Sequence, residues 1–197
     1  MENHFSKSIA SFLIVLALTY SGCEARAVGG SKSTEFIRTS CSTTTYPTLC
    51  YSSISSHASA IQQNPKLLAN AALTVSLDTA ISTSADMVKL SHRAGMTPRE
   101  VGAMRDCVEE LSDTVEQLRK SMVDMKQMKG SNFAMMINDV QTWVSAALTD
   151  EDTCMDGFAG KYMNGGVKTE VRGKIVNVTH MTSHALALIN NYASLNA

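Results

Sequence analysis

Apolar residues recur along this chain at alternating intervals of three and four, the spacing that lines one face of an α-helix. The clearest run is Val101, Met104, Val108, Leu111, Val115, Leu118, Met122 and Met125. It opens at Thr97-Pro98-Arg99-Glu100, where Thr97 can cap free amides, Pro98 suits the first helical position and Glu100 closes a capping box. Lys126 and Lys129 fall near the negative end of the helix dipole, and Gly130 is expected to stop the helix. The predicted length is about 31 residues, or about 46 Å. A second seam follows Ser131-Asn132: Phe133, Ile137, Val140, Val144, Ala147, Cys154 and Phe158, with Glu151 at its one polar position. A third, after the breaker Asn164-Gly165-Gly166, runs through Val171, Ile175, Val178, Thr182, Ala185, Ile189 and Tyr192. Upstream, Asn64-Pro65 predicts the start of a helix that reaches His92, with Gly95 ending it. Its interior is crowded with Thr74, Ser76, Thr79, Ser82, Thr83 and Ser84, so hydropathy does not define its buried stripe.

Four long helices with short breaks predict an all-α fold, an up-down-up-down four-helix bundle. The period of 3.5 favours left-handed packing near +20°. An extended coiled coil fits less well, because Gly95, Gly130 and Gly165-Gly166 interrupt the pattern at regular intervals. Residues 33–60 are short, rich in Ser and Thr, and hold Cys41 and Cys50 around Tyr46-Pro47. They predict a small helical hairpin ahead of the bundle.

The first 27 residues read as a signal peptide: Lys7 is the positive n-region, Ile9 to Leu18 the apolar core, and Ala25-Arg26-Ala27 the small-residue cleavage site. The apolar run is too short to span a bilayer, which takes about 20 residues. A lipid anchor at Cys23 is the weaker alternative. Cleavage after Ala27 removes Cys23 and leaves Cys41, Cys50, Cys107 and Cys154, an even set that in an exported chain reads as two disulfides. Antiparallel geometry selects among the three pairings. Cys107 and Cys154 lie 23 and 24 residues either side of Gly130, hence side by side across the turn, and Cys41 then pairs with Cys50. Metal ligation by the four thiols is the rival reading, and it lacks any Cys-x-x-Cys spacing.

Composition adds exclusions. With 17 Lys and Arg against 18 Asp and Glu, there is no basic excess with which to bind nucleic acid. Hydrophobic residues at 44% suffice for a core, and 6% aromatics with 3 prolines favour helix over sheet. No segment after the leader could cross a membrane.

The chain shows little catalytic chemistry. His180 and His184 share a helix face but lack a third ligand, so they read as surface or rim histidines, with no metal and no cofactor implied. There is no Gly-x-Ser-x-Gly elbow and no phosphate-binding glycine loop. Adjacent acids such as Glu109-Glu110 and Asp150-Glu151-Asp152 diverge around a helix, which gives a paired acid–base site no support. Among 12 methionines, Met122, Met125 and Met136 lie on or beside the seams and read as packing residues. Asn177-Val178-Thr179 is a glycosylation sequon, and Asn177 is expected on a flank of the last helix. One surface feature suggests a partner: Glu109, Asp113 and Glu116 share an outer face of the second bundle helix with Lys120. Asp152, Thr153 and Asp156 surround Cys154 on the third.

These residues together resemble the plant invertase and pectin methylesterase inhibitor family. The features that carry the likeness are the leader, Cys41 and Cys50 enclosing Tyr46-Pro47, Cys107 in a long helix, and Thr153-Cys154-Met155-Asp156. The stretch Thr142-Trp143-Val144-Ser145-Ala146-Ala147-Leu148-Thr149 also looks like pectin methylesterase pro-regions. The resemblance implies a single inhibitor domain over 28–197, with the hairpin at 33–62 and the bundle at 64–196, and the same two consecutive disulfides. It further implies a secreted, non-enzymatic protein of the cell wall and apoplast that covers the active-site cleft of its target in a 1:1 complex. Carried over by motif, the expected partner-binding residues are Thr153 and Asp156; by spacing alone, Asp113 and Glu116 join them. Pro65-Lys66-Leu67 sits at a helix start and reads as capping rather than as an invertase-inhibitor motif. Pectin methylesterase is therefore the expected partner, with acid invertase the alternative and an exported helical carrier of an apolar ligand a third reading. With no catalytic domain following the bundle, a free-standing inhibitor is expected rather than a pro-segment.

Overall fold

A computed structural model describes residues 30–196 apart from 31, 162 and 164. The expected signal peptide, its Cys23 and the breaker residue Asn164 lie outside the described residues. The chain begins with α1 (32–41), α2 (Pro47–Ile54), a 3₁₀ turn (Ser55–His57) and α3 (Ala58–Ile61). Four long helices follow: α4 (Pro65–Ser91), α5 (Pro98–Gln127), α6 (Phe133–Gly157) and α7 (Gly166–Ser194). Each packs on the next and α7 closes against α4, which gives the expected four-helix bundle with its N-terminal hairpin.

The helix starts follow from their capping residues. The Asn64 side chain accepts from the Leu67 amide at 3.2 Å. At α5 the Glu100 amide donates to the Thr97 hydroxyl at 3.3 Å while Glu100 Oε2 accepts from the Thr97 amide at 2.8 Å, a complete capping box. The other carboxylate oxygen, Oε1, lies 3.0 Å from where a β-carbon on Gly165 would sit, so one side chain fills the space at the starts of both α5 and α7. Gly95 adopts φ +84° between α4 and α5, a conformation that favours glycine. Gly130 does not end α5 as expected. The helix stops at Gln127, Met128 turns extended and buries its side chain, and Gly130 starts a 3₁₀ turn (Gly130–Asn132) held by Lys129 N donating to Asn132 Oδ1 at 2.6 Å.

The buried stripe of α5 also differs from the apolar seam. Met104, Leu111, Leu118 and Met125 are buried as expected, but Val101 is 49% exposed, and Val108 and Met122 are only partly covered. The second buried column is Cys107, Thr114 and Ser121. Small side chains there let α5 and α6 approach closely: Thr114 Oγ1 donates to the Ala147 carbonyl on α6 at 3.4 Å, and a β-carbon at Gly157 would meet Ala103 at 3.6 Å. The Cys107–Cys154 disulfide ties the same two helices, and Cys41–Cys50 closes the hairpin, both as expected.

Two apolar groups fill the interior. One gathers Leu73, Leu118, Val144 and Ile189 with Ile37, Ile54 and Ile61 of the hairpin. The other surrounds the long disulfide with Met87, Met104, Leu111, Phe158 and Ile175. Glu151 falls between Ala147 of the first and Cys154 of the second and is fully buried. Its Oε1 accepts from Thr182 Oγ1 at 2.7 Å, and that hydroxyl lies 2.9 Å from Ser76 Oγ. Burial pushes the Glu151 carboxyl up to about 8, against the hydrogen bonds from Thr182 and Thr179.

The hairpin packs on α4 and α7. Asn191 Nδ2 donates to Thr43 Oγ1 at 2.9 Å, and the Tyr46 ring lies 4.1 Å from that of His180 and 6.2 Å from that of His184. This corrects the expectation of two rim histidines. His180 is partly covered, whereas His184 is only 1% exposed, because the hairpin lies over its face of α7. Burial, followed by the neighbouring His180, lowers its pKa. Among the described residues no group of three or more His, Cys, Asp or Glu side chains converges as a metal site.

Candidate protein-docking face

The register that joins Cys107 to Cys154 also sets which outer residues of α5 and α6 lie level. Glu109, Asp113, Glu116 and Lys120 are all exposed on α5, and Thr153 and Asp156 are exposed on α6. Two of the expected residues are drawn into different local settings. Asp113 joins Glu110 and Asp150 in an acidic cluster across the two helices. Desolvation first, then the charges of Glu110 and Asp113, push Asp150 up to about 6, partly offset by a hydrogen bond from Gln117. Glu110 is raised as well, by burial and then by Asp113, Glu109 and Asp106. Glu116 instead pairs with Lys120 at 2.7 Å, which holds its carboxyl below the usual range.

Glu110 and Asp150 belong to the runs Glu109-Glu110 and Asp150-Glu151-Asp152. Consecutive acids do diverge around one helix, yet acids on two antiparallel helices meet when they lie equally far from the turn. The register already used for the disulfide carried that signal.

Thr153 and Asp156 carry no hydrogen bond or ion pair to α5 among the described residues. The Thr153 hydroxyl donates to the Thr149 carbonyl at 2.8 Å, which leaves its oxygen free to accept from a partner. Asp156 lines a cleft of about 170 Å³ with Met155, Phe158, Lys168 and Arg172, facing α7. The chain's one tryptophan lies outside the apolar seam of α6. Trp143 is partly exposed in a groove with Val123, Arg119 and Asp139, and the Lys120 ammonium lies 4.9 Å over its ring. An aromatic anchor beside exposed Val123, rimmed by charges, is the usual make-up of a protein–protein contact centre.

A sequence profile described as plant invertase/pectin methylesterase inhibitor matches residues 35–188, from the hairpin into α7. The chain belongs to this inhibitor family. It is 45% identical to the "21 kDa protein" of Daucus carota over 85% of this chain and 89% of that one. It is 43% identical to pectinesterase inhibitor 11 of Arabidopsis thaliana over 92% of this chain and 94% of the relative. A crystal structure of a mutant pectin methylesterase inhibitor from Arabidopsis superposes with TM-score 0.62 at 23% identity, over 76% of this chain and 92% of that one, a likeness of fold. Both disulfides, the acidic cluster and Trp143 fall inside the span matched to the inhibitor family.

Proposed function

We propose that the chain is a secreted inhibitor of pectin methylesterase that acts in the cell wall by covering the enzyme's substrate cleft in a one-to-one complex. The observation that carries the docking surface is the acidic cluster of Glu110, Asp113 and Asp150, on the same two helices as the Trp143 groove and with no cation paired to it among the described residues. Such a face gains by meeting basic groups on a partner, and its aromatic neighbour supplies apolar contact. Thr153 and Asp156 extend the same contact along α6. The Arabidopsis relative is by its name a pectinesterase inhibitor, which supports the esterase over acid invertase as target. The carrier reading lacks a space for its cargo, since Leu73, Met87, Met104, Leu111 and Leu118 fill the interior.

An inhibition titration of the oxidised chain against a plant pectin methylesterase, with an acid invertase in parallel, tests the reading. Loss of esterase activity at one equivalent supports it. Loss of invertase activity alone reverses the target, and no effect on either removes the proposal.

A further inference from the structure

The sequon at Asn177 is not absorbed by the docking face. Asn177 is exposed on α7 and lines a groove of about 620 Å³ between α4 and α7, with Asp78, Thr79, Ser82, Asp86 and Gly173. Two rungs fix this register: the Ser76–Thr182 hydroxyl contact at 2.9 Å and the Asp86–Lys174 ion pair at 2.6 Å. Between them Asn177 falls level with exposed Ser82. Gly173, one turn before Asn177, is a helix-interior glycine that no close packing demands, since a β-carbon there would meet nothing within 4 Å. Glycine costs a helix stability relative to alanine, and what it provides here is an open groove.

We propose that Asn177 carries an N-linked glycan whose first sugars lie in this α4–α7 groove, on the opposite side of the bundle from α5 and α6. The lining suits a neutral saccharide. Asp78 and Ser82 offer acceptors to sugar hydroxyls and to the N-acetyl amide, and the Thr79 hydroxyl, already donating to the Val75 carbonyl at 2.7 Å, can still accept. Lys174 also lines the groove but is paired with Asp86, so an acidic sugar would face the charge of Asp78. The two disulfides place the chain in an oxidising, secretory compartment, where the donor is a polyprenyl-diphosphate-linked oligosaccharide. Asn177 Nδ2 attacks C1 of the first N-acetylglucosamine, and the Nδ2–C1 bond forms as the C1–O bond breaks. The polyprenyl diphosphate leaves with the electron pair, and one amide proton passes to a base of the transferase. Transfer precedes folding, because the folded bundle commits the Thr179 hydroxyl proton to the Ile175 carbonyl at 3.0 Å.

The test uses the full chain expressed through a eukaryotic secretory pathway, alongside a control protein with a sequon known to be used. Peptide mapping after amide-cleaving glycosidase should find Asn177 converted to Asp, and Asn177→Gln should lose the mass shift. An unmodified Asn177 beside a modified control overturns the site. Seating is read separately, with an endoglycosidase that cuts between the first two sugars. Cleavage on the native protein should be at least tenfold slower than on the unfolded chain, and Gly173→Phe, checked for native circular dichroism, should restore it. Equal rates on native and unfolded chains overturn the groove as the seat. Neither readout involves the esterase, so both stand apart from the inhibitory function.

Discussion

The α5–α6 pair and the α4–α7 pair share one antiparallel plan and are joined by opposite means. Across α4 and α7 the charges match: Asp86 meets Lys174 at 2.6 Å and, just past the end of α4, Arg93 meets Glu170 at 2.6 Å, with the Ser76–Thr182 contact beneath. Across α5 and α6 the charges repel: Glu110, Asp113 and Asp150 crowd one another, while a disulfide and a column of small residues hold the helices close. A helix pair that satisfies its own charges needs no partner. A pair that keeps like charges together by covalent constraint stores a surface whose electrostatic gain is realised only when something else arrives.

Removing the constraint gives the largest expected effect. Replacing Cys107 and Cys154 by Ala opens a 47-residue loop and should cost about 4 kcal/mol in urea unfolding, against about 2.5 kcal/mol for the nine-residue Cys41–Cys50 loop. Equal losses would mean that the two helices hold together without the bridge.

The next effect lies in the interior. The folded Glu151 carboxyl titrates near 8 against an ordinary 4.5, so its stabilising contribution is complete below pH 4.5 and is lost as pH rises toward 8. Between pH 5 and 7 the expected loss is about 2.5 kcal/mol. Urea melts across that range should slope downward, and Glu151→Gln should flatten them.

The two faces are separated most sharply by a pair of neutralising substitutions. Asp150→Asn relieves repulsion and should raise the melting temperature at pH 7, yet weaken esterase inhibition about tenfold, or about 1.4 kcal/mol. Asp86→Asn breaks an ion pair and should lower the melting temperature while leaving inhibition unchanged. With Asp150 titrating near 6, inhibition by the unsubstituted chain should strengthen from pH 5 to 7, and Asp150→Asn should lose that rise. Identical behaviour of the two variants would erase the distinction between the faces. The smallest effect on stability is expected at Thr153, which bonds only within its own helix: Thr153→Ala should shift stability by less than about 0.5 kcal/mol while weakening inhibition.

Much of this architecture is legible in the spacing of apolar residues, because helices that bury one stripe must repeat it every three or four positions. The seams of α6 and α7 hold almost residue for residue, and the polar break at Glu151 marks the buried carboxyl. The stripe of α5 misleads because hydropathy ranks Val101 and Val108 above Cys107, Thr114 and Ser121, while close helix approach selects for small size. His184 is buried by a hairpin about 140 residues upstream, a contact that no local pattern encodes. The acidic cluster needed both register and charge to be read together, across two helices rather than along one. The groove around Trp143 is visible only once Lys120 and Val123 are placed around it.

The shared carboxylate of Glu100 has a consequence for how the molecule breathes. One of its oxygens closes the first turn of α5 and the other sits against the start of α7, two helices that are not neighbours in sequence. Release of the α5 capping box frees the carboxylate that fills the space against Gly165. Opening of the first turn of α5 should therefore loosen the packing at the start of α7, read as faster exchange of the first α7 amides in Glu100→Ala.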